Sequence, residues 1–169
     1  MLDVFKTKFA AQGFTTLSPI QTAVAEPMAA GTSVLGLAPT GSGKTLAFTW
    51  PMLEMVRPGE GTQALILAPS QELAMQTTNV VRDWAQLVDV KVLAITGGAN
   101  VKRQMEKLKK RPEIIVGTPG RVTNLIADGK LKLGHLKLMI IDEADELLTD
   151  ATLDQIREIL DATLSLIPT

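Results

Sequence analysis

A glycine-rich segment that ends in lysine and threonine is the feature of this sequence with the clearest chemistry. It reads Ala38-Pro39-Thr40-Gly41-Ser42-Gly43-Lys44-Thr45, and it lies between a short apolar run and a segment with helical spacing of apolar residues. Strand, glycine-rich loop and helix in this order form the context of a P-loop. Glycines let backbone N–H groups approach phosphate oxygens, and the N-terminus of the helix adds partial positive charge. The segment therefore predicts a phosphate-binding loop.

The side chains of this loop have distinct predicted roles. The residues expected to bind the nucleotide phosphates are Thr40, Gly41, Ser42, Gly43, Lys44 and Thr45. The ammonium group of Lys44 would reach the β and γ phosphates, and the hydroxyl of Thr45 would bind Mg²⁺. Ala38 stands where the strict pattern has glycine, so a glycine-rich turn with an incidental lysine is the alternative interpretation.

An acidic pair at the end of another apolar run supplies a second anchor for Mg²⁺. The run Leu138-Met139-Ile140-Ile141 is followed by Asp142 and Glu143. A phosphate-bound Mg²⁺ usually needs an acid at the end of a strand near the P-loop. We expect Asp142 to hold the metal through water, and Glu143 to orient or deprotonate the attacking water. The alternative is an acidic helix cap, because an acidic first turn interacts favourably with the helix dipole.

Short apolar runs that alternate with segments of helical period would position these residues. The runs are residues 34–38, 64–68, 90–95, 114–117 and 138–142, and being apolar on both faces they are typical of buried parallel strands. Helical stripes lie at Ile20, Ala23, Val24, Pro27 and Met28, at Leu73, Thr77, Val80, Val81 and Trp84, and at Leu153, Ile156, Ile159, Leu160 and Leu164. The alternation predicts an α/β fold, with a mostly parallel sheet flanked by helices on both faces in three layers, and ligands at the carboxyl ends of the strands.

Composition limits the class of protein and the kind of partner. A chain of 169 residues with 46% hydrophobic and 21% charged residues suits one globular domain. The net charge of −1 requires any nucleic-acid contact to be local. The absence of cysteine excludes disulfides, Cys-based zinc sites and thiol nucleophiles. Because no signal peptide or membrane-spanning run is present, we expect a cytoplasmic protein with no membrane partner.

The acidic pair continues as Asp142-Glu143-Ala144-Asp145, which resembles the signature of the DEAD-box ATP-dependent RNA helicases. Other segments resemble motifs of that family and stand in the family's order: the glutamine motif at 13–21, motif Ia at 69–74, the glycine doublet at 97–98 and motif Ib at 118–121. The resemblance covers nearly the whole chain. It implies a RecA-like P-loop NTPase domain that couples Mg-ATP binding and hydrolysis to unwinding or remodelling of RNA duplexes.

The resemblance also implies selectivity for adenine. Gln21 would hydrogen-bond the adenine edge, and Ser18 would support the phosphate loop through its hydroxyl. An amide side chain offers a donor and an acceptor, which match N6 and N7 of adenine and mismatch guanine. If the family resemblance is set aside, Gln21 could simply face solvent. The candidates for stacking on adenine are Phe14 and Phe5, unless no aromatic residue takes that role.

Contacts to the RNA sugar-phosphate backbone are a further implication of the resemblance. The residues concerned are Pro69, Ser70, Gln71, Gly97, Gly98, Thr118, Pro119, Gly120 and Arg121. Hydroxyls, backbone N–H groups and an arginine can bind phosphate without reading base sequence. Alternatively, the glycine doublet forms a plain turn, and Thr118-Pro119-Gly120 forms a helix N-cap with proline just inside. Ser70 and Gln71 replace the usual Thr and Arg of motif Ia, which removes one charge from this face.

The family pattern extends beyond this chain. It continues with a strand carrying Ser-Ala-Thr and then with a second RecA-like domain that holds an arginine finger. We therefore interpret residues 1–169 as a single N-terminal ATP-binding domain that lacks this second, C-terminal RecA-like domain. As a fragment it should bind nucleotide but hydrolyse ATP poorly, because the finger supplies much of the catalysis in related enzymes.

Several features leave alternatives open. The basic stretch is expected to be a solvated charged face, although it could line RNA; it comprises Lys102, Arg103, Lys107, Lys109, Lys110 and Arg111. Trp50 and Trp84 are expected in the core rather than as base-stacking platforms. His135 has no assigned role. An ATP-gated RNA clamp, and a P-loop ATPase that acts on DNA or protein, are the alternatives to duplex unwinding.

Overall fold

The structure is a computed structural model that describes residues 1–14, 16–17, 21–22, 44–96, 101–143, 147 and 149–164. Its helices are α1 (Asp3–Ala11), α2 (Lys44–Met55), α3 (Gln71–Ala85), α4 (Val101–Lys109), α5 (Pro119–Ala127) and α6 (Asp150–Leu164), with a 3-10 turn at Gln86–Val88. Its strands are β1 (Ala64–Leu67), β2 (Val92–Ile95), β3 (Ile114–Gly117) and β4 (Leu138–Ile141). The strand predicted at residues 34–38 and all residues of the first predicted helical stripe lie outside the described residues.

The described strands form one parallel sheet in the order β2-β3-β1-β4. In the centre, Ala64 of β1 is in register with Ile114 of β3 and Leu138 of β4. Each strand lies within a predicted apolar run. The expectation that β2 begins at residue 90 was wrong, because the N–H of Val90 donates to the carbonyl of Ala85 and ties Val90 to the end of α3.

Helices cover both faces of the sheet, because alternate residues of a strand point to opposite sides. In β1, Ala64 and Ile66 pack in a core cluster with side chains of α1, α2 and α3. Leu65 and Leu67 pack in a second cluster with side chains of α4, α5 and α6. The predicted three-layer α/β architecture is therefore confirmed.

Helix α3 is attached to the sheet by a buried stripe whose composition differs in part from the prediction. Its buried residues are Ala74, Thr77, Thr78, Val81, Trp84 and Ala85. Val80, expected in the stripe, is 39% exposed, and Thr78 is fully buried instead. Two hydroxyl side chains therefore lie under this helix, and each needs a hydrogen-bond partner there.

Helix α1 packs against the C-terminal half of α3, in the same core cluster. The ring of Phe5 lies 5.7 Å from the ring of Trp84, centroid to centroid. Beside this contact, the Lys8 ammonium pairs with the Asp83 carboxylate at 2.8 Å. Trp84 and Trp50 are 1% and 6% exposed, which confirms that both are core residues and makes the stacking-platform interpretation wrong.

The last helix, α6, buries Ile156 and Ile159 as predicted. Leu160 was also expected in the buried stripe, but it is 40% exposed, so the stripe is narrower than its apolar pattern indicated. Over the residues that the structure describes, no helix is long and apolar enough to cross a membrane.

Candidate functional site

The chemistry-bearing segments follow the strands at their carboxyl ends, which lie at one edge because all the described strands are parallel. The N–H of Ala68, just after β1, donates to the Gly117 carbonyl at 2.9 Å. On the other side of β1, the N–H of Asp142 donates to the Leu67 carbonyl at 2.8 Å. These bonds hold the chain leaving β1, β3 and β4 at adjacent positions on the edge, where parallel α/β sheets bind ligands.

Asp142, the predicted metal-binding acid, is partly exposed at this edge. One of its carboxylate oxygens, Oδ2, accepts a hydrogen bond from the Thr77 hydroxyl at 3.0 Å. Thr77 lies on α3, is only 4% exposed, and is separated from Asp142 by 65 residues in sequence. From the sequence, Thr77 was predicted only as a member of an apolar stripe, and its contact with Asp142 was not foreseen. The signal was the hydroxyl itself, which at a buried position needs a partner.

Glu143, the predicted water-orienting residue, adopts an unusual backbone conformation. Its φ angle is +52°, in the left-handed region that residues other than glycine rarely enter. Its carbonyl accepts a bond from the N–H of Leu147 at 3.2 Å. Strained backbone of this kind concentrates at functional sites, where the surrounding structure holds it in place. Glu143 lies in a turn that follows β4, and the residue is partly exposed.

The helix that follows the glycine-rich loop is α2, which is described from Lys44 to Met55. Thr45 is partly buried in its first turn, and its carbonyl accepts a bond from the Thr49 hydroxyl. Thr40, Gly41, Ser42 and Gly43 lie outside the described residues, as does the side chain of Lys44. The Thr45 hydroxyl and the Asp142 carboxylate are oxygen donors, the chemistry that Mg²⁺ prefers, so this donor set fits the predicted metal.

The adenine-reading residues can be followed in part. Gln21 is 3% exposed, so the interpretation that it faces solvent is wrong. Ser18 lies outside the described residues. Phe5 is fully buried against Trp84, and the alternative that it stacks on adenine is therefore wrong. Phe14 is 44% exposed and lies 4.9 Å from the ring of Phe9, so it is the candidate with an open ring surface.

Two of the predicted RNA-binding segments begin helices at the carboxyl edge. Ser70 is the N-cap of α3, and its Oγ accepts the N–H of Leu73 at 3.2 Å. The neighbouring Pro69 is partly buried and Gln71 is exposed. Because a hydroxyl can donate while it accepts, Ser70 keeps a donor for a ligand.

The second of these segments opens α5. Thr118 occupies the N-cap position with Pro119 just inside, as the alternative interpretation predicted, but its side chain makes no capping bond. Gly120 approaches Gln155 of α6, since a Cβ placed on Gly120 would lie 3.4 Å from that amide nitrogen. The Nε of Arg121 is buried without a hydrogen-bond partner among the described residues. Gly97 and Gly98 lie outside those residues.

The basic stretch lies mainly on α4. Leu108 is buried and Met105 packs partly against the core, whereas Val101 is 42% exposed. The six cationic residues of the stretch are all exposed, in agreement with a solvated charged face.

A family comparison covers most of the chain. The model of the DEAD/DEAH box helicase family matches residues 18–168. "Probable ATP-dependent RNA helicase YfmL" of Bacillus subtilis (strain 168) is 44% identical over 155 residues, which are 91% of this chain and 41% of the relative. ATP-dependent RNA helicase CshA of Listeria monocytogenes is 41% identical over 149 residues, which are 88% of this chain and 29% of the relative.

Two solved structures with the same fold are consistent with this family assignment. A DEAD box protein from the hyperthermophile Methanococcus jannaschii superposes with a TM-score of 0.86 at 34% identity, covering 96% of this chain and 45% of that one. A hypothetical ATP-dependent RNA helicase from Sulfolobus tokodaii has a TM-score of 0.86 at 32% identity, covering 98% of this chain and 48% of that one. This chain spans less than half the length of each of these proteins.

Proposed function

This chain belongs to the DEAD/DEAH box helicase family and has that family's RecA-like α/β fold, and from this premise we propose that residues 1–169 are the N-terminal ATP-binding domain of a longer ATP-dependent RNA helicase. The family implies binding of a nucleotide and of RNA. The finer assignments are that the nucleotide is ATP with Mg²⁺, and that a second RecA-like domain completes the enzyme.

The observation that carries the proposal is the position of Asp142. This acid lies at the carboxyl end of β4, bonded through its backbone to β1 and through its carboxylate to α3. A Mg²⁺ ion bound to ATP neutralises charge on the β and γ phosphates and needs an oxygen donor at such a place. Asp142 and Thr45 would be the protein's contribution to that ion.

The remaining residues of the nucleotide site divide the work by chemistry. Lys44 and the backbone of Thr40–Gly43 would bind the phosphates, where an ammonium and aligned N–H groups meet negative charge. Gln21 and Ser18 would select adenine and support the loop, with Phe14 as the stacking candidate. Glu143 would hold the attacking water and receive its proton. The burial of Gln21 supports a directional hydrogen-bonding role, because water competes little with a buried amide.

RNA would bind along the same edge, across the N-termini of α3 and α5. Ser70 and Thr118 supply hydroxyls there, and the helix ends supply N–H groups and partial positive charge. Pro69, Gln71, Pro119, Gly120, Arg121 and the glycine doublet Gly97-Gly98 complete this proposed surface. Contacts of this type read the sugar-phosphate backbone and not the bases, so binding should be independent of RNA sequence.

The proposal is tested by titrating the 169-residue chain with a fluorescent ADP analogue in Mg²⁺, and then with single-stranded RNA and DNA of one sequence. We expect ADP to displace the analogue and RNA to bind more tightly than DNA, since only RNA offers a 2′-hydroxyl. A folded chain that binds no adenine nucleotide would contradict the proposed nucleotide site. Equal binding of RNA and DNA would favour a P-loop ATPase of another specificity.

A further inference from the structure

Two consecutive threonines of α3 use their hydroxyls differently. Thr77 and Thr78 are 4% and 0% exposed, so both hydroxyls lie away from water. The Thr78 Oγ1 donates to the Ala74 carbonyl at 2.7 Å, within its own helix, as buried threonines in helices commonly do. The Thr77 Oγ1 instead donates across to Oδ2 of Asp142 at 3.0 Å. The hydroxyl of Thr77 therefore donates to the residue that follows β4 and not to a carbonyl of its own helix.

We propose that Thr77 is a positioning residue for the metal-binding carboxylate of Asp142. The inference rests on the proposed function, because it assumes that Asp142 faces a Mg²⁺-bound nucleotide. A carboxylate has two oxygens with about four acceptor positions between them. A donor fixed on Oδ2 limits rotation of the group, and so would hold the carboxylate in one orientation toward the metal.

The chemistry of the donor suits this role. A hydroxyl is uncharged, so it orients the carboxylate without bringing a positive charge that would compete with Mg²⁺. Outer partners of this kind hold metal ligands in position, and their loss typically lowers metal affinity by about 10- to 100-fold. The contact is also rigid, because Thr77 is buried on a helix packed on the sheet and Asp142 is bonded through its N–H to Leu67.

The test compares three variants of the 169-residue chain. Thr77→Val keeps the branched shape and removes the donor, whereas Thr77→Ser keeps the donor and removes a methyl group. Thr78→Val is the matched control. It removes the neighbouring buried hydroxyl, which donates to the Ala74 carbonyl and not to Asp142. Each variant is titrated with ADP by competition against a fluorescent analogue, once with excess Mg²⁺ and once with a chelator. Unfolding in urea establishes that each variant is folded.

The measured quantity is the factor by which Mg²⁺ tightens ADP binding. We expect Thr77→Val to lower this factor about tenfold, at the modest end of the range for such partners, while leaving metal-free ADP binding unchanged. Thr77→Ser should retain most of the factor, and Thr78→Val should retain all of it even if the variant is less stable.

Two results would overturn the assignment of Thr77. A folded Thr77→Val with the parent's Mg²⁺ dependence would do so, and so would a Thr77→Ser as impaired as Thr77→Val, because packing would then explain both losses. If the parent chain binds ADP with no dependence on Mg²⁺, the inference fails while nucleotide binding stands. If the parent binds no ADP at all, the inference and the proposed function fail together.

Discussion

The N–H of Asp142 donates to the carbonyl of Leu67, the last residue of β1, at 2.8 Å. Strand β1 continues from Leu67 into the short turn that Ser70 ends as the cap of α3. The proposed metal-binding acid and the start of a proposed RNA-binding helix are therefore attached to the same strand end. The proposed nucleotide-binding and RNA-binding surfaces are thus both held in place by the end of β1.

Two substitutions in the phosphate site should affect nucleotide binding and ATP hydrolysis separately. Lys44→Ala removes the ammonium that would meet the β and γ phosphates, and we expect it to weaken ADP binding by at least tenfold. Glu143→Gln keeps the shape and removes the base, so ADP binding should change less than about twofold while ATP hydrolysis by the longer enzyme falls by about a hundredfold or more. Equilibrium titration and steady-state ATPase rates measure the two effects. Hydrolysis at the parent rate by Glu143→Gln would show that Glu143 is not the base.

Adenine selectivity should depend on Gln21. The parent chain should bind ADP more tightly than GDP, because the amide matches the donor and acceptor of the adenine edge. Gln21→Ala should erase most of that preference while weakening GDP binding little. Competition titrations with both nucleotides measure the ratio. Because Gln21 is buried, urea unfolding of the variant is the necessary control for loss of structure. Equal affinities of the parent for ADP and GDP would refute the role of Gln21.

A charge restored at the start of α3 should strengthen RNA binding. Gln71 is exposed directly after the Ser70 cap, so Gln71→Arg places a guanidinium at the proposed phosphate-binding edge. We expect tighter RNA binding and a salt dependence steeper by roughly one counterion. Gln86→Arg adds the same charge beyond the opposite end of α3, at another exposed position, and should leave both quantities nearly unchanged. If the two variants behave alike, the N-terminus of α3 has no special contact with RNA.

The end of β3 should tolerate only glycine. A Cβ on Gly117 would lie 2.9 Å from Cγ2 of Val122 and 3.0 Å from the Ile95 carbonyl oxygen, closer than packed atoms allow. We expect Gly117→Ala to lower the free energy of unfolding by about 1–3 kcal/mol, as overpacked sites do. Gly120→Ala is the control, since its Cβ would meet only the flexible end of Gln155 at 3.4 Å, and it should change stability by less than about 1 kcal/mol. Urea unfolding measures both, and equal effects would contradict the packing argument.

The sheet was predictable because its strands are buried on both faces and so appear as uninterrupted apolar runs. Residues 114–117 matched β3 at both ends, and Thr118-Pro119 marked the start of α5 through the fixed φ of proline. Helical faces were less predictable. The pattern placed Val80 inward and overlooked Thr78, because apolar type alone does not fix the rotation of a helix that buries hydroxyl groups beside aliphatic ones.

The site was predictable where a local motif carries it and not where a contact joins distant segments. Asp142 and Glu143 follow an apolar run and are visible in the sequence, whereas the bond from Thr77 to Asp142 spans 65 residues. Only the packing of α3 on the sheet brings that pair together. The left-handed backbone of Glu143 was equally hidden, since nothing in its residue type favours a positive φ.

Helix α3 has Ser70 at its beginning and Thr77 seven residues later, a rise of about 10 Å along one rigid element. If RNA and Mg-nucleotide bind at these two places, α3 makes them thermodynamically linked ligands. The factor by which RNA tightens nucleotide binding must then equal the factor by which nucleotide tightens RNA binding. A closed cycle of four dissociation constants would measure that coupling, and a Thr77→Val cycle would report the share of it that passes through this one hydroxyl.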